Sequence, residues 1–297
     1  MRVFVTGASG FVGTAVVRNL IDAGHRVLGL ARSDAAAQAL AAAGADVHRG
    51  DLEDRDSLQT GIAQAEGVIH TAFIHDFSNF RASCEIDRAV VETLGVALAG
   101  SGRPLVVTSG TGLLAGQGRV TEDSTPHASS PNPRIASEEA ARAAAQAGAH
   151  VSLVRLPPSV HGDGDHGFIP MLIDIARKQG ISAYIGNGLN QWPAVHRTDA
   201  AELFRLALEK GAANASYHAT AEGGVAFKEI AAVIGKRLNL PVASVPPDQA
   251  EAHFGWFAHF AAMDNPSSSA GTRAALGWQP RGIGLIADLD RPAYFGG

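Results

Sequence analysis

Three glycines, Gly7, Gly10 and Gly13, are spaced three residues apart in the run Thr6-Gly7-Ala8-Ser9-Gly10-Phe11-Val12-Gly13. The apolar run at residues 3–5 leads into them, and an amphipathic stretch through Leu20 and Ile21 follows. That order reads as a strand, a tight turn and a helix. Glycine lets the backbone turn sharply and approach a ligand closely. The first turn of the helix offers unpaired N–H groups to an anion such as a pyrophosphate. With a strand before and a helix after, the expectation is a dinucleotide held by Gly7, Ser9, Gly10, Phe11, Val12 and Gly13. Further along, His75 and Asp76 are adjacent between Phe73 and Phe80. A histidine beside a carboxylate can act as a general acid near neutral pH, although a polar loop pair is the plainer use. Ser109 and Thr111 lie in Val107-Thr108-Ser109-Gly110-Thr111. Their hydroxyls could bind a substrate oxygen or a relay water, or simply stabilise a turn.

Elements that could position these groups are legible as alternating patterns. Short apolar runs at residues 3–5, 27–30, 46–48, 67–70, 105–108 and 151–155 alternate with helical stretches near 12–23, 35–43, 57–63, 87–99 and 136–147. Gly24 and Gly44 fall where a glycine ends a helix. Buried strands alternating with helices imply an α/β fold, a doubly wound parallel sheet with right-handed crossovers. Ligands bind such sheets at the carboxyl ends of the strands. After Arg155, Pro157, Pro158, Gly162, Gly164 and Gly167 break the pattern, and helices resume at 170–178, 199–209, 227–238, 248–262 and 269–276. Asp199 would cap its helix, with Glu202 three residues on.

The second strand ends Gly29-Leu30-Ala31-Arg32-Ser33, with no acid to accept hydrogen bonds from a ribose 2′-OH. The Arg32 fork and the Ser33 hydroxyl suit a 2′-phosphate, which points to NADP(H). In the alternative, Arg32 is a solvated surface residue and Asp34 serves NAD(H).

The Gly-x-x-Gly-x-x-Gly spacing resembles that of the extended and atypical short-chain dehydrogenases/reductases, often labelled NAD-dependent epimerase/dehydratase proteins. The likeness continues along most of the chain. It implies a Rossmann core over residues 1–156 and a smaller, mainly substrate-binding region over 157–297, interleaved as one structural unit. It places Asp51 at the adenine amino group and Leu52 on the ring, although Asp51 would also serve as a helix N-cap. It makes Thr71, Ala72 and Phe73 the small turn under the cofactor, with His70 packed in the sheet and Thr108 at the neighbouring strand end. Arg155-Leu156-Pro157-Pro158-Ser159-Val160-His161-Gly162 is similar, at one residue longer, to the family's Arg-Pro-x-x-Val-Tyr-Gly. Pro157, Pro158, Ser159 and Val160 would then line the nicotinamide, and His161 would replace the aromatic residue at the substrate. The stretch from Trp192 to Asp199 resembles the family's His-Val-x-Asp segment. Trp192 and Tyr184 would face substrate, with His196 and Asp199 architectural.

One part of the pattern is missing. The family's acid–base pair is Tyr-x-x-x-Lys, in which Tyr protonates the developing alkoxide and Lys lowers its pKa. The matching stretch is Arg134-Ile135-Ala136-Ser137-Glu138, with Arg in the Tyr place and Glu in the Lys place. None of Tyr184, Tyr217 and Tyr294 has Lys four residues later. Arginine does not give up a proton near neutral pH. The chain is similar in this to an atypical subgroup that lacks the pair.

Composition narrows the partners. The chain has 297 residues, 46% hydrophobic, with net charge −5 and no basic block, which argues against nucleic acid. Cys84 is the single cysteine, consistent with a reducing compartment. No apolar stretch approaches the roughly 20 residues of a membrane span. A strand beginning at residue 2 leaves no room for a signal peptide, so the expectation is a cytoplasmic protein. His161, Asp163, Asp165 and His166 could ligate a metal, but the family's turn already accounts for them, and none is expected. The family resemblance implies a homodimer paired through the helices at 87–99 and 136–147, although the Ala-rich face of the second would pack as well inside a monomer.

These features read together as an NADP(H)-dependent reductase passing hydride to a small or medium C=O or C=N. His75, Ser109, Thr111, Tyr184 or a held water would supply the proton, or an iminium substrate would need little help. Two alternatives stay open: an epimerase or dehydratase working by transient oxidation, and a non-catalytic NADP(H) sensor.

Overall fold

The computed structural model describes residues 1–127 and 130–296. Its first half alternates regularly: β1 (Arg2–Thr6), α1 (Phe11–Asp22), β2 (Arg26–Ala31), α2 (Asp34–Ala42), β3 (Asp46–Arg49), α3 (Arg55–Ala63), β4 (Gly67–His70), α4 (Phe80–Leu98), β5 (Pro104–Gly110), α5 (Ile135–Gln146) and β6 (His150–Leu156). Then come β7 (Ser159–His161), α6 (Phe168–Gln179), β8 (Ser182–Ile185), β9 (Gln191–His196), α7 (Arg197–Lys210), β10 (Ser216–His218), β11 (Glu222–Ala226), α8 (Phe227–Leu238) and β12 (Val242–Val245). Four short helices close the chain: α9 (Ala250–Phe254), α10 (Ala258–Ala261), α11 (Ala270–Leu276) and α12 (Leu285–Leu289).

Seven parallel strands form the central sheet in the order β10-β6-β5-β4-β1-β2-β3. This is a Rossmann-like α/β fold. Strand order reverses between β1 and β4, which opens a crevice at their carboxyl ends. On one face Val16, Val17 and Leu20 of α1 pack with Leu203 and Phe204 of α7 over Val3 and Val5. On the other, Leu58, Val91 and Leu94 pack over Phe4, Val68 and Leu105. Each such apolar side chain contributes about 1.5–3 kcal/mol when fully buried. The Ala-rich face of α5 lies against α4 within the chain, and a Cβ at Gly95 would come within 2.4 Å of the Ala144 Cβ.

The second lobe joins a three-stranded sheet, β11-β9-β7, and the pair β12-β8 to α6 and α8. Several expectations are corrected here. The seventh strand, β10, was not visible in sequence, and the helix expected over 248–262 breaks at Gly255, whose φ of +57° suits glycine. Asp199 does not cap α7; His196 does, accepting from the Thr198 N–H. Asp199 instead accepts the Arg281 and Gly282 N–H groups at 3.0 and 2.8 Å, tying α7 to the C-terminal segment. Trp192 does not face a cleft: it is fully buried among Phe168, Phe227 and Phe257.

Candidate functional site

The glycine turn closes against the end of β4. Gly7 has φ +67°, and a Cβ there would sit 2.6 Å from the Ala72 nitrogen. At Gly13 a Cβ would sit 1.9 Å from the Gly7 carbonyl oxygen, so α1 meets the turn with no room for a side chain. Gly10 is the N-cap of α1, no side chain caps it, and its first turn holds no acid. The leading N–H groups therefore stay available to an anion. This cradle fits the pyrophosphate of a dinucleotide.

At the end of β2, Arg32 is largely exposed, with its Nε 3.7 Å from the Asp51 carboxylate. Ser33 caps α2, accepting from the Ala36 N–H at 3.2 Å, and its hydroxyl proton remains free to donate. Asp34 is paired with Arg49. Asp51 is not the cap of α3, because Asp54 accepts the Asp56 and Ser57 N–H groups, each at 3.1 Å. Arg32, Ser33 and Asp51 thus share one rim.

At the start of α5, both unexpected side chains are satisfied by buried partners. Arg134 Nη1 donates to Asp87 Oδ2 at 2.7 Å, and Ser137 also bonds that carboxylate. Asp87 Oδ1 lies 2.9 Å from His70 Nε2, and His70 Nδ1 lies 2.6 Å from the Thr6 hydroxyl. Burial alone would raise the Asp87 carboxyl, but Arg134 and His70 outweigh it and hold the pKa far below the ordinary range. Glu138 receives Arg155 Nε and Nη2 at 2.7 and 2.9 Å, the Ser109 hydroxyl at 2.7 Å and Arg142 at 3.2 Å. Burial again works against ionisation and the Arg155 bonds prevail, so Glu138 stays ionised.

The Arg134 guanidinium carbon also lies over the Phe73 ring, 4.3 Å from its centroid. Phe73 follows Ala72, which touches the glycine turn, so this cation is two residues from the cradle. His75 packs on Phe73 at 5.1 Å. Burial, then the charges of Arg134 and His166, lowers the His75 pKa and favours the neutral ring near pH 7. From the second lobe, His166 and Arg197 approach Phe11 at 5.8 and 5.2 Å. Among the described residues no acid is paired with Arg197.

The family model described as the NAD dependent epimerase/dehydratase family matches residues 3–220. The chain belongs to that family. It is 51% identical to an uncharacterized protein of Schizosaccharomyces pombe, over 99% of this chain and 100% of that one. It is 29% identical to the 4-hydroxy-2-methyl-3-oxo-4-farnesyl-3,4-dihydroquinoline-1-oxide ketoreductase of Stigmatella aurantiaca, over 86% of this chain and 80% of that protein. The fold is similar to DesIV, the dTDP-glucose 4,6-dehydratase of Streptomyces venezuelae solved with NAD bound, with TM-score 0.78 and 20% identity across 100% and 97% of the two chains.

Within this epimerase/dehydratase frame, several expected contacts lie elsewhere. The Ser109 hydroxyl is turned to Glu138, and Thr111, fully buried, donates to Asn265 Oδ1 at 2.7 Å. Neither hydroxyl is open to a substrate as placed. Tyr184 sits over Gly188 and Lys228 in the β8–β12 pair, in the second lobe. His161 is buried, with Nδ1 2.7 Å from Asp288, so it does not form an exposed wall. Asp76 does not orient His75; it accepts from the Ser78 N–H and hydroxyl at 3.0 and 2.5 Å. The four possible metal ligands diverge: His161 to Asp288, Asp163 to Arg291 at 2.6 Å, Asp165 to Tyr294 at 3.1 Å, and His166 to Phe11. Sequence reasoning missed Asp87 and Arg197, for which only their charge gave a signal.

No helix among the described residues is long and apolar enough to cross a membrane.

Proposed function

We propose that this protein is an NADP(H)-dependent reductase of a carbonyl or imine substrate, in which Arg134 takes over the electrostatic part of the missing tyrosine's task. The observation that carries the reading is the Arg134 guanidinium held over Phe73, the residue after Ala72, which meets the glycine turn ahead of the uncapped start of α1. The N–H groups of α1 hold the pyrophosphate, and Thr71 and Ala72 pass beneath it. Asp51 and Leu52 meet the adenine, while Arg32 and Ser33 read the 2′-phosphate. Thr108 and the segment Pro157, Pro158, Ser159 and Val160 flank the nicotinamide. Bound NADPH supplies the hydride that adds to the acceptor carbon.

The displaced π pair moves to the acceptor oxygen, where Arg134 stabilises the charge by hydrogen bonding without giving up its own proton. Asp87, held by His70, which Thr6 holds in turn, fixes the guanidinium in place. Water or His75 would then deliver the proton, giving an alcohol from a carbonyl or an amine from an imine. The name of the Stigmatella ketoreductase supports the carbonyl class.

A second reading, a non-catalytic NADP(H) sensor, is favoured by one observation: Ser109 and Thr111 are both engaged by internal partners. Loss of the NADPH absorbance band over a panel of aldehydes, ketones and cyclic imines separates the two. Substrate-dependent loss, faster than with NADH and abolished in Arg134→Leu, is expected. Tight NADPH binding with no turnover of any panel member would overturn the reductase reading in favour of the sensor.

A further inference from the structure

Aromatic residues make up only 6% of the chain, yet Phe73, Phe77, Phe80, Phe168, Trp256 and Phe260 gather at one place. The loop after β4 supplies Phe73 and Phe77, and α4 begins with Phe80. The second lobe supplies the others. Phe77 stacks on Trp256 at 4.9 Å and 26°, and meets Phe168 and Phe260 at 6.4 and 6.2 Å. The stack therefore bridges the lobes beside the Arg134–Phe73 contact. Trp192 and Trp278 are fully buried, but Trp256 is 57% exposed. An indole left this open, aligned with a ring from the opposite lobe, offers a flat apolar surface to a ligand. The cation on this wall, Arg134, is already charge-matched by Asp87, so nothing in the stack calls for a phosphate.

We infer that the acceptor is a flat, apolar carbonyl compound that lies against Phe77 and Trp256 with its oxygen toward Arg134, rather than a nucleotide-linked sugar. Its carbonyl rests on the reductase reading; its ring contacts do not. The ligand covers the open indole of Trp256 beside Phe77, so both lobes touch it.

Calorimetric titration tests this directly, with 1-indanone, acetone and UDP-glucose each added to the intact protein with and without NADP+. The expected result is binding of 1-indanone well above acetone and UDP-glucose. Trp256→Ala and Phe77→Ala should each weaken 1-indanone about tenfold, which corresponds to about 1.4 kcal/mol. Trp256→Phe should restore most of it, and NADPH affinity should not move in any of the three. Trp256 is exposed, so its removal does not endanger folding. Tighter binding of UDP-glucose, or 1-indanone affinity indifferent to both positions, would overturn the inference. Trp256-dependent binding without NADPH consumption would refute the reductase reading and leave the acceptor class standing. NADPH consumption with acetone alone, blind to Trp256, would do the reverse.

Discussion

Replacing Glu138 by Gln would leave Arg155, which is fully buried, without its counter-ion. The wild-type carboxylate takes two Arg155 hydrogen bonds, at 2.7 and 2.9 Å, and one from Ser109 at 2.7 Å. Removing one partner of a buried ion pair costs about 3–5 kcal/mol, because the other charge stays desolvated. Gln keeps one acceptor oxygen, so the lower end, about 3 kcal/mol, is expected. At roughly 2–4 °C per kcal/mol for a chain of this size, the melting temperature should fall by about 6–12 °C. Glu138→Lys, which restores the family's lysine, should be worse, since it buries two like charges. Glu138→Leu combined with Arg155→Met should recover much of the loss. The assay is thermal unfolding by circular dichroism at pH 7 and again in acid. The Glu138 pKa is depressed below its ordinary 4.5, so its contribution is present above that value and is lost as pH falls through the lower folded pKa. The deficit of the Gln variant should shrink accordingly. A Gln variant melting within about 2 °C of the parent, or a double variant no better than the single, would refute the account.

Other outcomes are equally specific. Arg32→Ala should weaken NADPH binding about tenfold while leaving NADH nearly unchanged, measured by fluorescence titration; equal losses for both would deny Arg32 its phosphate role. If His75 supplies the proton, kcat/KM should climb as pH drops below its ordinary 6.5, because its pKa is lowered, and His75→Ala should remove that limb. A flat profile assigns the step to water. Burial raises the Asp165 pKa to about 6, so folding favours its protonated form and stability declines as pH rises from about 4 to 6. Asp165→Asn should therefore melt a degree or more higher at pH 7, and a lower melting temperature would contradict this.

The sheet was readable because its strands are short buried runs set off by helices, and six of the seven fell where the apolar runs lie. β10 escaped because Ser216–His218 is three residues with no apolar run. The extra turns of α4 escaped because Arg81 and Glu85 make its start look polar. The glycine turn was legible from its spacing between an apolar run and an amphipathic stretch, and at Gly7 and Gly13 the close backbone approach leaves no room for a side chain. The substitutions at 134 and 138 were visible as departures, but their meaning was not. Asp87 lies 47 residues from Arg134 and Asn265 lies 154 from Thr111, and such pairings leave no local pattern. Trp192 and Tyr184 were misplaced for a related reason: their neighbours come from α6, α8 and the C-terminal helices, which no periodicity places.

The position of β10 has a practical consequence. The chain leaves the central sheet after β6, builds β7 through β9 of the second lobe, and then returns through α7 and β10 to finish the sheet's edge. α7 also covers α1, the helix that follows the glycine turn. A chimaera cut after residue 156 would give the first partner an exposed, unpaired β6 edge and strip the cover from α1. Exchange of second-lobe parts between relatives must therefore take two separate stretches of the second half and spare the α7–β10 return between them. Graft points on either side of the α7–β10 return would change what the second lobe presents to the crevice while keeping the glycine turn and its covering helix whole.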